Sequence, residues 1–168
     1  MHTDLLFIIA EIGAAFAGFA TLIAVISDRS GRPAEQVRLH FAMLQNALIG
    51  SLLAVSFAIL PPVISRQAVE PTLAWRVSAT LCSFVFGSYM AYVIPRLLRA
   101  MREAGQSVPV AFVVNSIASG VWLILFAGCA IGVFPTSSYL IALAGLLGSA
   151  GAAFLRFFLA LGKESNAA

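Results

Sequence analysis

The sequence predicts an all-α integral membrane protein, a bundle of about five transmembrane helices with short loops. Hydrophobic residues make up 61% of its 168 residues and charged residues only 10%, whereas soluble domains average about 25% charged residues. The apolar residues also fall into stretches close to the length of about 20 residues that a helix needs to cross a bilayer. These stretches lie near residues 5–27, 41–65, 77–95, 110–134 and 139–161.

Residues 1–168 are predicted to form a single transmembrane helical domain, because the loops are too short for an extramembrane domain of at least about 50 residues. The first stretch is predicted to be a retained helix and not a cleaved secretory signal. It begins with His2 and Asp4 where a signal would be basic, and its apolar run exceeds the about 7 to 15 residues of a signal core.

Prolines and short turns mark the other predicted helices. Pro61 and Pro62 lie near the end of the second stretch, where a kink is expected. The third stretch is expected to continue as a helix past Pro95, because Arg96, Arg99 and Arg102 recur at three-residue spacing. These arginines are predicted to form a lipid-facing basic stripe, with a face for an acidic partner as the alternative. Residues 135–138 form a short hairpin, which makes the last two helices antiparallel neighbours.

The distribution of Lys and Arg predicts the orientation. With the N-terminus outside and the C-terminus cytoplasmic, only Arg66 and Arg76 lie outside. The other basic residues then lie inside, as the positive-inside rule requires: Arg29, Arg32, Arg38, Arg96, Arg99, Arg102, Arg156 and Lys163. This pattern also explains the net charge of +3 without a nucleic-acid partner.

Small residues at four-residue spacing predict close helix packing in the first, fourth and fifth stretches. The glycines assigned to these contacts are Gly13, Gly18, Gly128, Gly132 and Gly148. The second and third stretches have bulkier residues and are expected to face lipid or a neighbouring subunit. Their aromatic residues include Phe84, Phe86, Tyr89 and Tyr92.

Glu11 is the only acidic residue within an apolar stretch, and it is the first candidate for proton or ion binding. A charge deep in a bilayer costs at least about 2.5 kcal/mol, so such residues usually face a cavity, a partner or the interior of a bundle. Its predicted cationic partner is Arg76, and Arg66 is the other arginine expected at the same side of the membrane. A structural ion pair or hydrogen bond is the alternative to a transport role.

A second polar group is predicted near the cytoplasmic side, where an inner vestibule would be lined by Gln45, Asn46, Asn115 and Arg156. The alternative is that the amides are ordinary hydrogen bonds between helices and that Arg156 extends to the head groups.

No catalytic motif, metal-ligand set or cofactor fingerprint occurs, so neither an enzyme nor a bound metal or cofactor is expected. His2 and His40 are predicted on opposite sides of the membrane, which argues against a shared haem or metal site. Cys82 and Cys129 lack the CxxC spacing of redox enzymes and are expected to be small buried hydrophobic residues.

The sequence therefore favours a homo-oligomeric channel or transporter subunit for a proton, a cation or a small solute. The alternative is a non-transporting scaffold or accessory subunit that binds other membrane proteins or anionic lipid. The expected location is the bacterial inner (cytoplasmic) membrane, with membrane lipid as the first partner.

Overall fold

The structure is a computed structural model that describes residues 2–28, 34–67, 70–103 and 110–165. Within these ranges, side chains are described for residues 4–23, 45, 47–67, 70–99, 102, 110 and 112–156. Two of the arginines used to predict orientation, Arg29 and Arg32, lie outside the described residues. Among the other residues named above, the structure describes the helix position but not the side chain of His2, Arg38, His40, Asn46 and Lys163.

The described chain is all-helical and contains five helices in the predicted order. They are α1 (His2–Asp28), α2 (Ala34–Ser65), α3 (Pro71–Glu103), α4 (Val110–Ala130) and α5 (Thr136–Ser165). Each has a segment long and apolar enough to cross a membrane. The prediction of five such helices is therefore confirmed.

Helix α3 extends beyond the apolar stretch at its C-terminal end, as the arginine spacing predicted. Pro95 lies inside the helix, which ends only at Glu103. A proline in this position removes one backbone hydrogen bond but does not end the helix here. The three arginines after Pro95 consequently belong to the same helix as the apolar span.

The fourth helix ends about one turn earlier than predicted, at Ala130 instead of near residue 134. Gly132 has a φ of +78°, a conformation that glycine adopts without a steric penalty. The Val133 N–H donates to the Gly128 carbonyl at 2.9 Å, and the Gly132 N–H donates to the Cys129 carbonyl at 3.1 Å. These two bonds form a Schellman motif, which satisfies the last carbonyls of α4 and ends the helix.

Residues 1–58 and 146–168 form one compact unit, in which small residues bring α1, α2 and α5 together. A Cβ added to Gly13 would lie 2.8 Å from Val55 Cγ2 and 3.2 Å from the Ser51 carbonyl oxygen. At Gly50, an added Cβ would lie 3.2 Å from Ala150 Cβ. Both positions therefore allow helix backbones to approach closely, which is how helices associate without a hydrophobic driving force.

Residues 59–145 form the second compact unit, in which larger side chains join α3, α4 and the first turns of α5. Tyr139, Phe126 and Phe86 are almost completely buried there. The buried Ser78 hydroxyl donates to the Ala74 carbonyl within its own helix at 2.8 Å, so its polar group is satisfied locally.

The expected division between packed and outward-facing helices needs correction. Phe84 and Tyr92 of α3 are 74% and 57% exposed, in keeping with the expectation for that span. Phe86 in the same helix is buried, however, as is Ser51 in α2. Each of the five helices has both buried and exposed residues in its described part. Residues that share one side of a helix recur every three or four positions, so one side can be buried while the other stays exposed. The single-domain organisation stays a prediction.

Candidate functional site

Glu11 lies on the exposed side of α1. The buried residues of this helix recur along the opposite side, at Leu6, Gly13, Ala17 and Ala20. At about 3.6 residues per turn, positions 4, 11, 15 and 18 share the side that the described residues leave open. The residues there are Asp4, Glu11, Ala15 and Gly18, all of which are exposed.

The neighbours of Glu11 on the next turn of α1 are small, whereas Phe7 and Ile8 on the preceding turn are large and about half exposed. Ala14 and Ala15, one turn further along α1, are both exposed. A Cβ added to Gly18 would meet no atom within 4 Å. We call Glu11, Ala14, Ala15 and Gly18 the Glu11 face. It is a strip of helix on which a carboxylate is followed by side chains small enough to let another helix approach closely.

The predicted pairing of Glu11 with Arg76 stays a prediction, because Glu11 belongs to the first compact unit and Arg76 to the second. Arg76 does have a defined neighbour within its own unit. Its guanidinium lies against Gly132, where an added Cβ would overlap it. A cation at the C-terminal end of a helix is favoured by the partial negative charge of the last carbonyls. Arg76 therefore lies where it stabilises the end of α4.

The predicted inner vestibule also stays a prediction. Gln45, Asn115 and Arg156 are exposed. Gln45 and Arg156 belong to the first unit and Asn115 to the second, while the side chain of Asn46 lies outside those described.

The packing glycines fall into two groups. Gly13 and Gly128 are buried at tight contacts, with the Phe134 ring folded over Gly128 so closely that an added Cβ would overlap it. Gly18 and Gly148 are exposed, and an added Cβ meets nothing within 4 Å at either position. Gly132 lies beyond the end of α4, so it and Gly128 do not form a GxxxG ridge on one helix.

A buried polar pair between α3 and α5 has no counterpart in the sequence predictions. The Sγ atom of Cys82 and the hydroxyl oxygen of Tyr139 lie 3.2 Å apart and form a hydrogen bond. The Tyr139 ring meets Trp75 and Phe126 edge-on, with centroid distances of 5.4 and 5.2 Å. We call these four residues the Tyr139 cluster. The hairpin at residues 135–138 was the available signal, since it places the start of α5 beside the end of α4.

Both cysteines are buried and free. Cys82 therefore combines the small apolar character expected of it with a hydrogen bond that the sequence did not reveal. A buried Tyr hydroxyl usually finds such a partner, since leaving it unsatisfied is costly. The Tyr139 cluster has the composition of a structural contact between helices.

The arginines at the end of α3 are exposed, as a surface stripe requires. The guanidinium carbon of Arg96 lies 3.9 Å from the centroid of the Tyr92 ring, which is a cation–π contact.

No family model, curated protein or solved structure matches this chain.

Proposed function

We propose that this protein is a subunit of a homo-oligomeric membrane channel or transporter that moves a proton, a cation or a small solute. In this proposal Glu11 is the ion-binding group and lies where subunits meet. The observation that carries the proposal is the exposure of Glu11 within the apolar segment Asp4–Ile23 of α1. Membrane insertion of the five apolar helices is part of the same proposal.

Exposure to lipid is energetically costly for Glu11. A carboxylate exposed to hydrocarbon costs about 2.5 to 3.5 kcal/mol at the centre of a helix by insertion scales. Glu11 lies only about two turns from the start of α1, which reduces this cost but does not remove it. Its preferred surroundings are therefore water, or polar groups supplied by another subunit.

The small residues that follow Glu11 favour a helix as the neighbour of this part of α1. Ala14, Ala15 and Gly18 have no bulk to hold another backbone away, and small residues of this kind are typical of helix contacts in membranes. A second copy of the chain supplies the same surface, as in symmetric oligomers. Several copies around one axis, each with its Glu11 face towards that axis, would form a ring of Glu11 carboxylates, as in cation channels with acidic rings.

The proposed location is the bacterial inner membrane, with the N-terminus outside and the C-terminus cytoplasmic. This orientation places Arg96, Arg99 and Arg102 on the cytoplasmic side, where basic residues are enriched. It places Glu11 in the outer third of the membrane.

The proposal is tested by ion flux in liposomes reconstituted with purified protein, comparing the wild type with Glu11→Gln. The matched control is Glu70→Gln, since Glu70 is exposed and immediately precedes α3. We expect flux above that of empty liposomes for the wild type and Glu70→Gln. The Glu11→Gln variant should fall to the level of empty liposomes.

Two results would overturn the proposal. One is that helical, reconstituted wild-type protein shows neither flux under proton, sodium and potassium gradients nor uptake of a small solute. The other is equal flux in the wild type and Glu11→Gln. Circular dichroism and the number of subunits per particle, measured for each variant, separate loss of flux from loss of folding or assembly.

A second candidate function is a scaffold or accessory subunit that does not transport. It is favoured by the exposure of Arg96, Arg99 and Arg102 on α3, a surface that ion movement past Glu11 does not use. On this alternative, the Glu11 face binds a helix of another membrane protein, and wild-type liposomes conduct no ions.

A further inference from the structure

The cytoplasmic end of α3 combines an aromatic ring with a row of cations. Residues 92, 96, 99 and 102 are separated by four, three and three positions, so they follow one side of the helix. Their side chains, Tyr92, Arg96, Arg99 and Arg102, are all exposed. We call this surface the arginine face.

The Tyr92 ring positions the first of the three cations. With its guanidinium carbon 3.9 Å from the ring centroid, Arg96 is directed back towards the apolar part of α3. A cation–π contact uses the face of the ring and requires no acceptor atom, so the N–H groups of Arg96 keep their capacity to bind an anion. Arg96 is thus held at the edge of the apolar span with its donors available.

Arg96 has no carboxylate within one turn of it on its own helix. The one acidic residue in the sequence of α3 is Glu103, which lies seven positions after Arg96 and four after Arg99. Arg96 and Arg99 are one turn apart, where Cβ atoms are separated by about 5 to 6 Å, so their like charges repel. An anion between them removes this repulsion, and a phosphate oxygen pair fits the fork of a guanidinium.

We propose that the arginine face binds the phosphodiester group of an anionic phospholipid, with Arg96 and Arg99 as its main donors. The position of the face favours lipid over other sources of phosphate. It directly follows a helix segment apolar enough to cross a membrane, and tyrosine is enriched where such helices meet the head groups. Arg102, further from the span, adds attraction to the charged leaflet.

This inference rests on the membrane insertion included in the proposed function but not on ion conduction. Failure of the lipid site and failure of ion conduction can therefore be told apart. Flux that depends on Glu11, without selective lipid binding, would overturn the lipid site alone. Selective lipid binding without flux would overturn only the channel.

The test measures lipid binding to the full-length protein in detergent micelles by native mass spectrometry. The added lipid is phosphatidylglycerol or, for comparison, phosphatidylcholine, and inorganic phosphate serves as a competitor. The variant is Arg96→Gln/Arg99→Gln. The control is Arg29→Gln/Arg32→Gln, which removes the same charge from two arginines that lie between α1 and α2 in the sequence.

We expect the wild type and the control to prefer phosphatidylglycerol. The Arg96→Gln/Arg99→Gln variant should bind it roughly thirtyfold more weakly, from the loss of two arginines near a phosphate surface. Tyr92→Leu keeps both charges but removes the ring, and should weaken binding about two- to fivefold. Inorganic phosphate at millimolar concentration should not displace the lipid.

Each contrary result would overturn the proposal. Equal weakening in the two double variants would indicate attraction to net charge alone. Equal binding of the two lipids would exclude a site for anionic head groups. Displacement by inorganic phosphate would identify a site for free phosphate. Unchanged binding in Tyr92→Leu, a substitution that keeps the charge and an apolar side chain, would exclude the ring as part of the site.

Discussion

The contact around Gly13 and the Tyr139 cluster join helices of similar composition by different means. At Gly13, the absence of a side chain allows α1 to lie directly against Val55 and the Ser51 carbonyl of α2. At Tyr139, a large ring fills the space between α3 and α4 and forms a hydrogen bond with Cys82. The first contact depends on backbone proximity and the second on a filled volume. A larger side chain should therefore disrupt the contact at Gly13, whereas a smaller side chain should disrupt the Tyr139 cluster.

The largest expected effect comes from emptying the Tyr139 cluster. We expect Tyr139→Ala to lower the free energy of unfolding by about 3–5 kcal/mol, because it leaves a cavity and removes the partner of Cys82. The measurement is reversible unfolding in mixed detergent micelles. Phe84→Ala, at a residue that is 74% exposed, is the control and should change stability by less than about 0.5 kcal/mol. Similar losses for the two variants would contradict a filled cluster.

The next largest effect is expected from filling the contact at Gly13. Gly13→Leu should destabilise the protein by about 1–3 kcal/mol, because the new side chain meets Val55 and a carbonyl that cannot move freely. Gly18→Leu introduces the same residue into the same helix where an added Cβ meets nothing within 4 Å. In dilute micelles it should be neutral or stabilising by up to about 1 kcal/mol, through helix propensity. Equal destabilisation by Gly13→Leu and Gly18→Leu would contradict a tight contact at Gly13 and an open position at Gly18.

The smallest expected effect is at the end of α4. Gly132→Ala should lower stability by about 1–2 kcal/mol, because the residue has a φ of +78° and the Arg76 guanidinium occupies the space of its Cβ. Gly120→Ala, inside α4 and with no atom within 4 Å of an added Cβ, should be neutral or stabilising. Thermal unfolding of both variants in detergent checks this. A gain in stability at Gly132 would argue against the Schellman ending.

The two contacts also differ in how far the sequence predicted them. The small-residue spacing identified Gly13 as a packing residue, although the same spacing selected Gly18 and Gly148, which the described chain leaves exposed. A pattern within one helix gives the residues that share a side, but not what lies opposite that side. The Tyr139 cluster has no local pattern, since Trp75, Cys82, Phe126 and Tyr139 come from three helices.

The sequence by itself determined the five apolar helices and the continuation of α3 past Pro95, because apolar length and residue spacing are local properties. It also identified Glu11 as an unusual charge in an apolar span. Only the tertiary structure decided that Glu11 lies opposite the packed side of α1, that Gly132 ends α4 beside Arg76, and that Cys82 bonds Tyr139. The rotation of a helix about its axis is set by contacts with residues distant in the chain, and no spacing within that helix contains this information.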